Sequence, residues 1–168
     1  MSATPGTPRR LSVVDIAKLY ADGTRIPMLT AYDFPTAQLL DEAGIPLLLV
    51  GDSVGQVMLG YETTVRVTMA EMVHHTKAVV RGSQRALVVA DMPFLSYSTP
   101  ADALAHAGTF LREAGAQAVK VEGGVRTARV IETLFRAGIP VMGHIGLTPQ
   151  AINAIGKVRV QVQAPLSV

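Results

Sequence analysis

LLLVGDS, residues 47–53, decides how this chain is read. Four large apolar residues, then Gly51, Asp52 and Ser53, describe a strand with no polar face that ends abruptly in a carboxylate. Strands of that kind belong to parallel sheets covered by helices, where both faces are buried and alternation is lost. The pattern returns at ALVVADMP (86–93), with Asp91, and at AVKVEGG (118–124), with Glu122. IPMLTAYD (26–33) and IPVMGHIGL (139–147) read as strands of the same kind.

The segments between them have helical periodicity, and each closes on a glycine. They are FPTAQLLDEAG (34–44), TMAEMVHHTKAVVRG (68–82), TPADALAHAGTFLREAG (99–115) and VRTARVIETLFRAG (125–138). Thr99 suits an N-cap, with Pro100 at the first helical position. Ahead of the strands, LSVVDIAKLYADG (11–23) predicts one more helix. Ser12 and Asp15 stand at capping-box spacing there, and Ile16, Leu19 and Tyr20 share a face. Regular strand–helix–glycine units predict one α/β domain over 11–168, with a flexible tail over 1–10. In such folds chemistry gathers at the C-terminal ends of the strands, so Asp52, Asp91 and Glu122 are expected at one mouth.

Composition narrows the function. Of 168 residues, 49% are hydrophobic and 17% charged, which suits a globular domain with a sizeable core. The net charge is +2, the basic residues are scattered and aromatics make up only 5%, so nucleic acid has neither a phosphate track nor stacking platforms. Without cysteine there is no disulfide framework and no thiolate ligand or nucleophile. MSATPGTPRR lacks the apolar core of a signal peptide, and no apolar run nears the ~18–20 residues of a membrane span. A cytoplasmic protein that contacts no membrane is expected.

Alternation along a strand puts Lys120 and Glu122 on one face and Val119 and Val121 on the other. If the valines meet the helices, Lys120 and Glu122 point to the sheet's other side, where an unpaired ammonium would be costly. The same parity groups Asp52 with Leu48 and Val50, and Asp91 with Leu87 and Val89. Three carboxylates at one mouth need positive charge between them, and hard oxygen ligands without Cys favour Mg²⁺ over zinc. Simpler roles stay open. Asp52 suits a turn, Lys120 a snorkelling side chain, and His144 a satisfied core histidine. His74 and His75 lie mid-helix without a partner motif and read as surface or packing residues; Asp33 reads as a helix cap. Glycines 51, 55 and 60 form no phosphate-binding signature.

In order, MLTAYD (28–33), LLVGDSVG (48–55), TTVRVTMAEMVHHTKAVVRG (63–82), VVADMPF (88–94), AVKVEGG (118–124), PVMGHIGLTPQ (140–150) and Asn153 closely resemble the ketopantoate hydroxymethyltransferase family. The resemblance runs over about residues 25–153. It implies a (β/α)₈ TIM barrel of the phosphoenolpyruvate/pyruvate type. It further implies transfer of a hydroxymethyl group from 5,10-methylenetetrahydrofolate to α-ketoisovalerate (3-methyl-2-oxobutanoate), giving ketopantoate for pantothenate biosynthesis through a Mg²⁺-stabilised enolate. On matching positions, Asp52, Asp91 and Glu122 are implied as direct or water-mediated Mg²⁺ ligands. Asp52, Ser53, Asp91 and Lys120 are implied as substrate contacts, and Lys120 and His144 as catalytic residues. Homo-oligomers, decamers in bacterial members, are implied as well.

The pattern also departs from the family. Lys157 and Val162 stand where the family has glycines, and nothing corresponds to its proton-accepting glutamate at the end of the sixth strand. A C-terminally shortened barrel is therefore expected, with about five of the eight strands of this fold. KVRVQVQ (157–163) alternates like a strand suited to the open edge. Two other functions fit the same residues: a Mg²⁺-dependent lyase acting on another 2-oxo acid, and a catalytically dead chain with a binding or assembly role.

Overall fold

Five parallel strands pair in the order in which they occur along the chain, β1-β2-β3-β4-β5. They are β1 (Met28–Thr30), β2 (Leu47–Val50), β3 (Leu87–Asp91), β4 (Ala118–Glu122) and β5 (Val141–His144). The computed structural model describes residues 9–156; residues 1–8 of the expected tail and the expected strand over 157–163 lie outside them. Sequential order matters, because a doubly wound sheet reverses direction at a switch point and a (β/α) barrel does not. The helices are α1 (Val13–Ala21), α2 (Phe34–Glu42), the single turn α3 (Val54–Val57), α4 (Met69–Gly82), α5 (Pro100–Thr109), α6 (Ala128–Arg136) and the short α7 (Ile152–Ile155). None of them is long and apolar enough to cross a membrane.

The sheet separates two apolar layers. Leu48, Val50, Val88, Ala90, Val119 and Val121 pack against the helices with Met72, Val79, Phe110 and Leu134. On the opposite face Leu47, Leu87, Val89 and Ala118 meet Leu11, Ile16 and Met142, so the segment around α1 covers the inner side of the sheet. Val119 and Val121 thus face the helices, and Lys120 and Glu122 take the inner face, as alternation predicts.

Helix starts follow the expected chemistry. Asp15 N–H donates to Ser12 Oγ at 3.3 Å, and Ser12 N–H to Asp15 Oδ2 at 2.8 Å, closing the capping box of α1. Thr99 accepts from the Asp102 N–H at 3.2 Å to start α5. The helix expected over 99–115 is regular only to Thr109 and then widens over Phe110–Ala114. It stops at Gly115, whose φ of 78° suits a residue without a Cβ.

Two long-range anchors had no expectation behind them. Arg10 was placed in the flexible tail, yet its guanidinium donates to Ser83 Oγ at 3.0 Å, Ala86 O at 2.7 Å and Val80 O at 3.1 Å. It thereby satisfies carbonyls at the C-terminal end of α4, where a positive charge is favoured. Arg9 pairs with Asp15 at 2.7 Å, so two residues of the expected tail, Arg9 and Arg10, contact the domain. Buried Asp41 accepts from the N–H groups of Gln84 (2.9 Å), Arg85 (3.0 Å) and Ala86 (2.6 Å), fixing the turn that delivers β3.

Gly82 sits where α4 crosses α2: a Cβ there would collide with the carbonyl oxygen of Phe34 and lie 3.0 Å from Ala37 Cβ. Backbone cannot yield as a flexible side chain can. Gly82→Ala is expected to cost about 1–3 kcal/mol of stability. Urea unfolding measures this, and an unchanged midpoint would mean the two helices separate freely.

Candidate active site

Asp91 is the last residue of β3, and the ladder sets it beside Lys120 of β4. Lys120 Nζ donates to Asp91 Oδ1 and lies 3.8 Å from Glu122 Oε1. The other oxygen of Asp91 accepts the Asp52 N–H at 3.0 Å. Glu122 is likewise paired in register with His144 of β5. Its Oε1 is 2.9 Å from His144 Nδ1, and its Oε2 accepts the Gln150 N–H at 3.2 Å.

Asp52 arrives by a different route. Strict alternation grouped it with Leu48 and Val50, which face the helices. However, β2 ends at Val50, and Gly51 begins a turn held by Val54 N–H to Gly51 O and Gly55 N–H to Asp52 O, each at 3.0 Å. Off the strand, the period of two no longer applies, and the Asp52 carboxylate reaches Gln150 Nε2 at 2.8 Å. Space at Gly51 is tight: a Cβ there would lie 2.8 Å from Ser53 Oγ and would force that hydroxyl to move. Ser53 Oγ is 2.7 Å from the hydroxyl of Tyr32, just beyond β1.

Asp52, Ser53, Asp91, Lys120, Glu122 and His144 are thus gathered at the C-terminal edge of the sheet. Asp33 does not join them; it accepts the Thr36 N–H at 2.8 Å and caps α2. Of the two readings open for His75, surface or packing, it takes the second: its Nδ1 is 2.7 Å from Tyr32 O and ties α4 to the end of β1. His74 only meets the His75 ring edge-on.

Three site residues escaped the sequence reading: Tyr32, Tyr97 and Gln150. Tyr97 donates to Gln150 Oε1 at 2.5 Å and accepts the Glu122 N–H at 3.3 Å. Their signal was slight. Gln150 lies inside PVMGHIGLTPQ, and Tyr97 and Tyr32 are two of only four tyrosines.

The electrostatics are those of a site short of positive charge. Asp52, Asp91 and Glu122 are 4%, 3% and 5% exposed, and one part-buried lysine, Lys120, stands among them. Burial, and then the charge of Asp91, push the Asp52 carboxyl up to about 6. Burial also raises Asp91, against the pull of Lys120. Burial pushes the Tyr97 phenol to about 12, so it keeps its proton and remains a donor. Among the described residues no three His, Asp or Glu side chains form a ready-made metal cage. Asp52 and Asp91 nonetheless offer hard oxygens, and Mg²⁺ is commonly held by one or two carboxylates together with water and substrate. A cavity of about 240 Å³ opens beside Glu122 and Gln150, lined also by Phe94, Tyr97, Arg126 and Thr148.

A sequential parallel sheet with its polar cluster at the strand C-termini defines an α/β-barrel type of protein, and solved structures agree. The chain is similar to phosphonopyruvate hydrolase, solved with oxalate and Mg²⁺, at a TM-score of 0.61 and 11% identity over 79% of this chain and 52% of that one. It is similar as well to 2,3-dimethylmalate lyase, a member of the PEP mutase/isocitrate lyase superfamily, at a TM-score of 0.59 and 17% identity over 79% of this chain and 52% of that one. These likenesses establish the fold.

Sequence comparison is more specific. The family profile described as ketopantoate hydroxymethyltransferase matches residues 10–166, wider on both sides than the 25–153 on which the resemblance rested. The 3-methyl-2-oxobutanoate hydroxymethyltransferase of Chloroflexus aurantiacus is 60% identical over 152 residues, 90% of this chain and 54% of the relative. That of Carboxydothermus hydrogenoformans is 58% identical over 153 residues, 90% of this chain and 55% of the relative. The chain belongs to the ketopantoate hydroxymethyltransferase family. It spans about half the length of the curated relatives it matches.

Proposed function

We propose that this chain carries the 2-oxo-acid half of a hydroxymethyltransferase site. It binds 3-methyl-2-oxobutanoate with Mg²⁺ and prepares its C3 to accept a hydroxymethyl group from 5,10-methylenetetrahydrofolate, forming ketopantoate on the route to pantothenate. The observation that carries the proposal is the part-buried Lys120–Asp91 pair beside Asp52, at the strand ends of a chain that matches this family over 10–166.

Asp52, Asp91 and Glu122 would hold the cation, directly or through water. The excess of buried carboxylate over lysine, expressed in the raised Asp52, fits a dication. Bound there, Mg²⁺ would supply positive charge to the substrate's keto oxygen and acidify the neighbouring C–H. Lys120 presents a fixed ammonium at the same mouth, where burial makes its field more effective than in water. Ser53, steadied by Tyr32, offers a hydroxyl to the substrate carboxylate, and His144, held by Glu122, lines the far side. A cytoplasmic homo-oligomer, decameric as in bacterial members, belongs to the same proposal.

The test is Mg²⁺-dependent exchange of the C3 hydrogen of 3-methyl-2-oxobutanoate into D₂O, with and without the folate, against an Asp91→Ala control. Exchange above the control is expected. A folded chain that shows neither exchange nor Mg²⁺-dependent binding of the 2-oxo acid overturns the proposal.

A further inference from the structure

Gln150, which the sequence did not single out, donates to two carboxylates of the acidic cluster, Asp52 and Glu122. It is 5% exposed and belongs to the turn Pro149–Ala151, yet it touches the ends of three strands. Its Nε2 donates to Asp52 Oδ2 at 2.8 Å and to Met92 O at 2.9 Å. Its Oε1 accepts from the Tyr97 hydroxyl, and its backbone N–H donates to Glu122 Oε2. β2, β3 and β4 are thereby tied together through one residue, the first two by its side chain and the third by its backbone N–H.

Only one orientation of the amide satisfies these partners. Met92 O and the Asp52 carboxylate are acceptors, so the NH₂ group must face them. Tyr97 accepts the Glu122 N–H, and its proton goes to Oε1 at 2.5 Å in preference to the Glu122 carbonyl at 3.4 Å. A flipped amide would set its oxygen against a carbonyl and a carboxylate. Tyr97 therefore fixes Gln150, and Gln150 holds Asp52 by a single oxygen. Among the described residues, no hydrogen bond within the protein reaches the other oxygen, Oδ1.

We propose that Gln150 is a positioning residue for the divalent cation, clamping Asp52 by Oδ2 so that Oδ1 is presented to the ion, with Tyr97 as the clamp's own anchor. The inference rests on the assignment of Asp52 and Asp91 as the cation's holders. Partners that orient a metal's ligands typically change affinity by about 10- to 100-fold when removed. Glutamate at 150 would be isosteric but unable to donate, and leucine removes all the side-chain hydrogen bonds at similar volume.

The experiment is titration of the purified chain with Mn²⁺ alone, a carboxylate-seeking ion whose EPR spectrum reports its ligand geometry. Wild type, Gln150→Leu and Tyr97→Phe are compared, with circular dichroism confirming the fold of each. The expected result is that Gln150→Leu binds about 10-fold or more weakly and broadens the bound Mn²⁺ spectrum, with Tyr97→Phe shifted in the same direction by less. A purely structural role would lower thermal stability while leaving the affinity and spectrum of the folded protein unchanged. Unchanged affinity and spectrum in folded Gln150→Leu overturn the proposal. Should that variant fail to fold, an unchanged Tyr97→Phe does so. If wild type binds no Mn²⁺, the cation assignment itself falls and takes this inference with it; binding by wild type and folded Gln150→Leu alike sinks the inference alone.

Discussion

Lys120→Met is expected to lose about 3–5 kcal/mol of folding stability and to slow C3 hydrogen exchange by about 10²- to 10³-fold. The two losses have one origin. Lys120 and Asp91 have side chains only 11% and 4% exposed, so removing the ammonium leaves a carboxylate buried beside Asp52 with no charge opposite it. Burial already raises Asp91 and Lys120 is what opposes it, so the variant's Asp91 should take up a proton more readily. Adding Asp91→Asn to Lys120→Met should restore much of the stability, because a neutral pair costs little where half a pair costs a great deal. It should restore none of the exchange. Mn²⁺ affinity of the single variant should stay within about tenfold, or 1.4 kcal/mol. Urea unfolding of wild type, Lys120→Met, Asp91→Asn and the double variant, read as a double-mutant cycle, measures the coupling. Equal stability of Lys120→Met and wild type would show that water screens the pair.

How far such a site can be read from sequence depends on whether its residues lie on a strand. Val119, Lys120, Val121 and Glu122 belong to β4 throughout, so a period of two gave their faces correctly. Asp91 likewise closes β3 from within it. Asp52 broke the rule because β2 stops two residues short of it, and a turn has no such period. Gln150 and Tyr97 could not be found by periodicity at all. Each lies on a connection between units, and their meeting requires the loops after β3 and β5 to converge over the end of β4. Arg10 is the same lesson at longer range: its partner Ser83 lies 73 residues away, and nothing local distinguishes it from Arg9. The strand order was legible for the opposite reason, since a regular strand–helix repeat leaves few ways to pair neighbours.

Asp52→Asn is expected to make the metal-free protein more stable at pH 7, by on the order of 2 kcal/mol. In the folded chain this carboxyl holds its proton up to about 6, against an ordinary value of 3.8. Burial is the first cause and the charge of Asp91 the second. Between those two values the native state binds more protons than the unfolded chain, so the wild type loses stability as the pH rises through that window and does not regain it above. Asparagine keeps an oxygen for Gln150 and has nothing to ionise, which removes the slope as well as the penalty. Urea unfolding of both proteins from pH 4 to 7 in chelator measures the two profiles. They should converge at the acid end and diverge toward neutrality; parallel profiles would move the excess charge from Asp52 onto another group. Saturating Mn²⁺ should reverse the order at pH 7, since a ligand that binds only the folded state stabilises it in proportion to the logarithm of its excess over Kd. Reversal of the order by Mn²⁺ would mark Asp52 as a carboxylate placed for a cation; an unchanged order would leave it a turn residue whose burial costs stability.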